Sequence, residues 1–426
     1  MVDTSTLVIG LLVGIVTIGI ASEILFHKFK VPEPIVLLSI GVLIQYSNII
    51  PGQLNTLAYL RSIAPIIGTI VLGLVLLDAG LSMRAYDMLI RSPKVMMLAL
   101  LAPITTAIVF SGLMYFIFGW PLIYGAVFGS LLGSTTGEVI VPLLRSINTD
   151  EGTSNTLILD CVYNSVTTIV VFQILLGFAS SSSLNFAVAA GSVASEFLFG
   201  AVVGVLAGFA WTIVALKRIH EHQYLITMAA AFAVYLGSQA IGGNGFLSLL
   251  LFGMVIGNFN ESYRKVLGTA VYGSIMGNLS KELGNVLKIS DDTSVTKLRT
   301  AQKEITFVSK VFFFVFLGLI SEIFAKYIIF GVLFAFLLFG LKYIDVKALR
   351  MKENTKLIAL VGPRGITPII LATEFATATS NQSIVTPMIS MTFVIIFTTI
   401  AASVIFGVVF SSGNKRKEAI PISTDA

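Results

Sequence analysis

The stretch Gly133-Ser134-Thr135-Thr136-Gly137-Glu138 interrupts an apolar run at residues 121–145. A second stretch, Gly362-Pro363-Arg364-Gly365-Ile366-Thr367-Pro368, interrupts the apolar run at residues 355–378. Glycine and proline break helical hydrogen bonding, and a broken helix is tolerated inside a membrane only where protein or a cavity surrounds the freed backbone groups. The two stretches therefore predict a pair of broken helices that line an internal site.

The composition places both breaks in a membrane protein. Of the 426 residues, 56% are hydrophobic and 12% are charged, and the mean hydropathy is +0.94. These values predict an all-α polytopic protein embedded in a lipid bilayer. The single cysteine and three histidines argue against a disulfide framework or a Cys/His metal site. The dispersed basic residues do not indicate nucleic-acid binding, and no enzyme or cofactor motif is present.

Apolar runs that are long enough to cross the hydrocarbon core recur along the chain, and we expect about thirteen transmembrane helices. The runs lie at about 6–26, 33–50, 61–82, 94–118, 121–145, 152–178, 186–216, 223–241, 244–258, 304–324, 326–344, 355–378 and 384–411. We interpret residues 1–411 as one transporter unit. It contains a first repeat at about 1–180, a linking span at 186–216 and a second repeat at about 223–411.

The basic residues predict the orientation in the cell membrane. Apart from Arg61 and Lys326, the lysines and arginines outside the runs follow odd-numbered runs, and residues 342–356 form one such basic loop. The positive-inside rule therefore predicts an extracellular N-terminus and a short cytoplasmic tail at 412–426. The segment 259–303 has apolar residues mostly four apart, which favours an amphipathic cytoplasmic helix over a solvated linker.

The two breaks fall at equivalent places when runs one to six and eight to thirteen are treated as two halves. Each break then lies in the fifth run of its half, and the halves begin on opposite sides of the membrane. Secondary transporters built from inverted repeats have this pattern, with half-helix ends and free carbonyl groups at a midplane ion site. The sequence thus predicts two inverted repeats of six spans, with helices 5 and 12 interrupted.

A few ionisable residues lie within the predicted spans. Such residues usually face the interior of the bundle, pair with one another and mark an ion or proton path. Asp160 and Lys310 lie at similar depths from the cytoplasm, and we predict that they form a buried ion pair. We expect Arg364 to cap carbonyl groups freed by the second break, and Asp78 to be a further supporting charge. A purely structural role is the alternative for these charges.

The first break also carries oxygen atoms that could bind a cation. Ser134, Thr135 and Thr136 supply hydroxyl groups, and Glu138 supplies a carboxylate. Hard oxygen ligands suit an alkali cation, although hydroxyl groups in membrane helices often bond only to their own helix. We predict a monovalent cation site at Glu138 and Thr135 with Asp160 of the next span.

Several landmarks of the chain resemble those of the monovalent cation:proton antiporters, most of all the prokaryotic sodium/proton antiporters with thirteen spans. They are Leu77-Asp78-Ala79-Gly80-Leu81, Asn164, Phe313-Phe314-Val315-Phe316-Leu317-Gly318 and Gly362-Pro363-Arg364-Gly365. The resemblance implies exchange of cytoplasmic Na⁺ or K⁺ for protons by alternating access. It also implies a homodimer and no cofactor.

The chain departs from that family at the centre of the site. In the family, span 5 carries Thr-Asp-Pro and span 6 carries Asn-Asp, whose aspartate binds either a proton or a cation. Here the corresponding stretches are Thr135-Thr136-Gly137 and Asn164-Ser165. Serine does not exchange a proton near neutral pH, so the carrier role does not transfer to Ser165.

Either Glu138 or Asp160 is then expected to carry the proton and the cation, with Asn164, Ser165 and the hydroxyl groups of the first break around it. We favour Glu138, because the predicted ion pair already occupies Asp160. Proton-coupled transport of another solute on the same fold is one alternative. A channel or a non-transporting sensor is the other.

Overall fold

The computed structural model describes a helical protein. The described residues are 13, 17, 33–47, 53–82, 93–147, 149–180, 186–218, 223–270, 292–321, 324–351, 353–379 and 381–418. Within these ranges the regular secondary structure is helical, with no strand. This confirms the predicted all-α class.

The helices follow the apolar runs of the sequence closely. In chain order they are α1 (Glu33–Tyr46), α2 (Gln53–Ser82), α3 (Pro93–Phe118), α4 (Leu122–Leu131), α5 (Gly137–Ser146), α6 (Glu151–Ser180), α7 (Phe186–Arg218), α8 (Gln223–Ala240), α9 (Gly245–Ala270), α10 (Asp292–Ile320), α11 (Ala325–Ala348), α12 (Thr355–Leu360), α13 (Ile366–Ala378) and α14 (Gln382–Glu418). Five of them, α3, α6, α7, α11 and α14, contain segments that are long and apolar enough to cross a membrane. The chain is therefore a multi-pass membrane protein.

Several helices extend beyond the predicted runs. Helix α9 continues to Ala270, α10 begins at Asp292 and α14 ends at Glu418. A helix satisfies its own backbone hydrogen bonds, so it can leave the apolar region without unfolding. The run at 6–26, apart from Val13 and Thr17, lies outside the described residues. Residues 271–291, in the middle of the predicted amphipathic segment, lie outside them as well.

The chain divides into two compact units. Unit 1 comprises Met1–Gly68, Lys94–Ser180 and Lys310–Ala426, and unit 2 comprises Thr69–Pro93 and Ser181–Ser309. Both interrupted runs belong to unit 1. The two consecutive repeats expected from the sequence stay a prediction.

Unit 2 packs α7 and α8 against α9, with Leu249, Phe252 and Ile256 at the centre of its core. The contact between α7 and α9 is close, since a Cβ atom added to Gly204 would lie 2.4 Å from the carbonyl oxygen of Ser248. Small residues allow membrane helices to approach one another in this way.

Unit 1 contains the two breaks. The run at 121–145 divides into α4 and α5, and the run at 355–378 divides into α12 and α13. Helix α13 packs on α4, α6 and α14, while α12 packs on α6, α11 and α14. The first turn of α12 is stabilised by Asn354, whose side-chain oxygen accepts a hydrogen bond of 3.2 Å from the backbone nitrogen of Leu357. The breaks predicted from the sequence are thus present in the structure.

Candidate functional site

The two breaks touch each other in the interior of unit 1. The backbone nitrogen of Thr136 donates a hydrogen bond of 3.0 Å to the carbonyl oxygen of Pro363. A Cβ atom added to Gly365 would lie 2.5 Å from Cβ of Thr136, so only glycine permits this approach. At this crossing of the two breaks, backbone groups that are left free at the helix ends form hydrogen bonds with each other.

Arg364 links the two breaks. Its side chain is 2% exposed, and one guanidinium nitrogen, Nη1, donates to the carbonyl oxygens of Gly133 and Ser134. Its backbone nitrogen donates to Oγ1 of Thr399 at 3.1 Å. The sequence led us to expect that Arg364 caps carbonyl groups of its own break, whereas these carbonyl groups belong to the other one.

Asp160 forms a buried ion pair, but its partner differs from the predicted one. Nζ of Lys342 lies 2.8 Å from Oδ2 of Asp160, and the two side chains are 2% and 0% exposed. We predicted Lys310 as the partner and placed Lys342 in a cytoplasmic loop. Helix α11 instead continues to Ala348, which carries Lys342 into the protein interior. The half-buried Lys310 lies on α10.

The other oxygen of Asp160 has no hydrogen-bond partner among the described residues. Oδ2 also receives a long hydrogen bond of 3.4 Å from Oγ1 of Thr135, whereas buried Oδ1 accepts no hydrogen bond from any described residue. One turn further along α6, the buried Nδ2 of Asn164 likewise has no hydrogen-bond partner in the described part of the chain. Buried polar atoms are nearly always satisfied, so these two atoms stand out among the polar groups near the first break.

The amide of Asn164 can present either its nitrogen or its oxygen at the unpartnered position. Its Oδ1 accepts a hydrogen bond of 3.0 Å from Oγ1 of Thr168. The oxygen and nitrogen of an amide are assigned from the hydrogen-bond network, and turning the amide over exchanges them. The nitrogen would then face Thr168, and the oxygen would take the place where Nδ2 now has no partner among the described residues.

Ser165 lies against two backbone carbonyl groups. Its Oγ lies 3.1 Å from the carbonyl oxygen of Thr135 and 2.9 Å from that of Cys161. It therefore ties α6 to the first break. Ser134, Thr135 and Thr136 are all buried at the same break.

Glu138 and Asp78 complete the set of predicted site residues. Glu138 is the second residue of α5, and its side chain lies outside the described part of the structure. Asp78 lies on α2 in unit 2, whereas the breaks belong to unit 1. The structure thus brings together Asp160, Asn164, Arg364 and the hydroxyl residues of the first break.

Lys342 and Asp345 were not among the site residues expected from the sequence. Both lie near the C-terminal end of α11, where basic and acidic residues look like the start of a loop. Both are buried. The signal that could have revealed them is the apolar character of residues Val346 and Leu349, which continues the helix beyond Lys342.

Crossed, interrupted helices around a buried ion pair define the class of this protein as a membrane transporter with the antiporter fold. The structure of the sodium proton antiporter MjNhaP1 from Methanocaldococcus jannaschii at pH 8 matches it with a TM-score of 0.71. That match covers 94% of this chain and all of the other one, at 20% sequence identity.

The family described as sodium/hydrogen exchanger, transmembrane, matches residues 12–412, so the chain belongs to this family. It is 24% identical over 237 residues to the K⁺/H⁺ antiporter NhaP2 of Shewanella sp. (strain ANA-3), covering 54% of this chain and 40% of that protein. It is 25% identical over 201 residues to the Na⁺/H⁺ antiporter NhaP of Pseudomonas aeruginosa, covering 45% and 47%.

These matches span about half of the length of the curated relatives or less. Together with the family and the fold, they confirm the resemblance to monovalent cation:proton antiporters.

Proposed function

We propose that this protein exchanges a monovalent cation, Na⁺ or K⁺, for protons across the cell membrane, working as a homodimer by alternating access. The observation that carries the proposal is the state of Asp160. It is completely buried, one oxygen is paired with Lys342, and the other oxygen meets no described donor. A buried carboxylate attracts a cation strongly, because the Coulomb interaction is large where the dielectric constant is low.

Asp160 is the cation-binding carboxylate in this proposal. The hydroxyl group of Thr135 and the amide of Asn164 complete the ligand set, because both lie beside the carboxylate and carry oxygen atoms. Oxygen ligands of this kind replace the hydration shell of an alkali cation. The choice between Na⁺ and K⁺ depends on the size of this cage.

Lys342 is the internal competitor of the transported cation. Its ammonium group holds Asp160 when the site is empty, so an entering cation must displace it. Competition of this kind couples cation binding to the protonation of the site. Each further positive charge in the buried cluster is costly, so the binding of a cation favours the loss of a proton. An unpaired charge there would be costly.

The crossing of the two breaks supports alternating access. Arg364 and the hydrogen bond between Thr136 and Pro363 join the half-helices without regular helical bonding. Half-helix ends around a central site occur in transporters that open to one side at a time. In this cycle, unit 1 would carry Asp160 between states that open to opposite sides.

The first experiment uses purified protein in proteoliposomes with a pH-sensitive dye. We expect Na⁺, K⁺ or Li⁺ to cause proton movement through the wild-type protein. A cation leak without proton movement would indicate a channel, and silence with all three cations would contradict cation:proton exchange.

The second experiment assigns the cation-binding carboxylate. Asp160→Asn should abolish cation-evoked proton movement, whereas Glu138→Gln should retain it. The reverse result would transfer the role to Glu138, which the sequence analysis favoured. Cation-induced thermal stabilisation, measured on the same two variants in detergent, reports binding without transport.

A further inference from the structure

A second buried carboxyl group lies beside the ion pair. Asp345 is 5% exposed and stands three residues after Lys342 on α11. Side chains three residues apart on a helix are neighbours, with Cβ atoms about 5–6 Å apart. The charged groups that act on Asp345 are Lys342 on its own helix, Arg364 between α12 and α13, and Asp160 on α6.

Thr105 of α3 suits Asp345 in both protonation states. Its Oγ1 lies 2.9 Å from Oδ2 of Asp345 and 3.1 Å from the carbonyl oxygens of Leu101 and Ala102. The hydroxyl group has one hydrogen atom and two lone pairs. It can donate to an ionised Asp345, or donate to its own helix and accept from a neutral one. The hydrogen bond is therefore kept when the proton leaves.

We propose that Asp345 is the proton-binding group of the exchange, and that Lys342 alternates between Asp160 and Asp345. This proposal rests on the proposed antiport. In the empty site, Lys342 pairs with ionised Asp160 and Asp345 is neutral. When a cation binds Asp160, the ammonium group moves to Asp345, which releases its proton to water on the open side.

The charges balance in this cycle. One cation enters the cluster of Asp160, Asp345, Lys342 and Arg364, and one proton leaves it, so the total charge is unchanged. The ammonium group keeps its proton and always has an anionic partner. Without Asp345, displaced Lys342 would be a buried charge without compensation, which is the costly state.

Lys342 packs against a glycine, whereas Arg364 is held by backbone carbonyl groups. A Cβ atom added to Gly362 would lie 3.3 Å from Cδ and 3.5 Å from Nζ of Lys342, so the glycine leaves space along the lysine side chain. Arg364 instead is anchored to the carbonyl oxygens of Gly133 and Ser134. Lys342 is therefore the movable cation of the cluster.

The test measures how cation affinity depends on pH, from cation-induced thermal stabilisation and from exchange in proteoliposomes. One proton released per cation changes the apparent affinity about tenfold per pH unit over the titrating range. Lys342→Arg keeps the positive charge but cannot give up a proton. We expect this variant to retain the pH dependence, and the double variant Lys342→Arg with Asp345→Asn to lose it.

Two results would overturn the proposal. Loss of the pH dependence in Lys342→Arg alone would make Lys342 the proton carrier. Retention of it in the double variant would leave Asp160 as the proton carrier. Failure of the antiport itself is recognised separately, because the wild-type protein would then move no protons in response to cations.

A further variant leaves both residues of the ion pair unchanged. Thr105→Val keeps the shape of the side chain and removes the hydroxyl group that serves Asp345. We expect a shift of the pH midpoint of exchange with an unchanged number of protons per cation. An unchanged midpoint would count against Asp345. Thr106→Val is the matched control, since Oγ1 of Thr106 bonds only to carbonyl oxygens of its own helix among the described residues.

Discussion

Asp160 and Lys342 are the residues whose chemistry depends most on each other. Their side chains meet at 2.8 Å, and both are almost completely buried. A buried pair of this kind contributes little net stability compared with apolar residues, but removing one member leaves a buried charge. The pair can thus add little to stability and still be sensitive to the loss of either member.

We expect Lys342→Met to lower the free energy of unfolding by about 3–5 kcal/mol, because Asp160 keeps its burial and loses its counter-ion. Replacing both residues, with Asp160→Asn added, should restore most of that stability. Denaturant unfolding in detergent measures the difference. Equal stability of the single and double variants would show that Asp160 finds another partner.

Gly362 is expected to influence the rate of exchange more than stability. In Gly362→Ala, the new Cβ atom would lie 3.3 Å from Cδ of Lys342, which crowds the path of the lysine side chain. If the crowding adds about 1 kcal/mol to that movement, turnover falls about fivefold. Gly340→Ala on α11 is the control, since a Cβ atom there meets nothing within 4 Å. Equal turnover in both variants would contradict the prediction.

At the level of helices, the crossing of the two breaks is the feature that holds the site in shape. Helices α4 and α5 stop short of each other, as do α12 and α13, and the backbone groups between them bond across the crossing. Arg364 adds a charged cap to carbonyl groups of the partner break. The polar side chains near Asp160 are therefore positioned by contacts between segments that are far apart in sequence.

Gly365→Ala should destabilise this crossing, because its Cβ atom would lie 2.5 Å from Cβ of Thr136. Overpacking of this kind usually costs about 1–3 kcal/mol, and we expect a lower melting temperature in detergent. Gly112→Ala in α3 serves as control, since it has open space around the added atom. A melting temperature equal to that of the control would mean that the close contact of the two breaks does not contribute to stability.

For the whole molecule, the response of stability to acid depends in part on a carboxylate outside the membrane-spanning segments. Asp150 precedes α6 and accepts a hydrogen bond of 2.8 Å from the backbone nitrogen of Thr153. That bond, followed by one from the Thr153 side chain, lowers the pKa of Asp150 from its usual value of 3.8. Thr153 in turn accepts a hydrogen bond from the backbone nitrogen of Asn354, which joins the starts of α6 and α12.

The lowered pKa means that Asp150 stabilises the folded protein above about pH 3.8, and that this contribution disappears as the pH falls through the folded-state value. Asp150→Asn keeps a good helix cap and removes the titration. We expect the melting temperature of Asp150→Asn to be close to that of wild type at pH 7. On acidification it should fall less than that of wild type. Asp150→Ala should lower stability at pH 7 by about 1 kcal/mol. If the melting temperatures of wild type and Asp150→Asn fell equally on acidification, the ionisation of Asp150 would not contribute to stability.

The sequence by itself determined the membrane class, the all-α fold, the places of both breaks and the family. These features are local, because hydropathy and the positions of glycine and proline are fixed along a single segment. The sequence also pointed to Asp160, Asn164 and Arg364 as candidate site residues.

Only the tertiary structure decided which charges meet. Depth along the chain favoured Lys310 as the partner of Asp160, whereas the structure selects Lys342 and adds Asp345 beside it. The pairing of buried charges depends on how each helix is rotated and on where it ends, and packing against other helices sets both. A lysine three residues from an aspartate looks the same in sequence whether it begins a loop or completes a buried cluster.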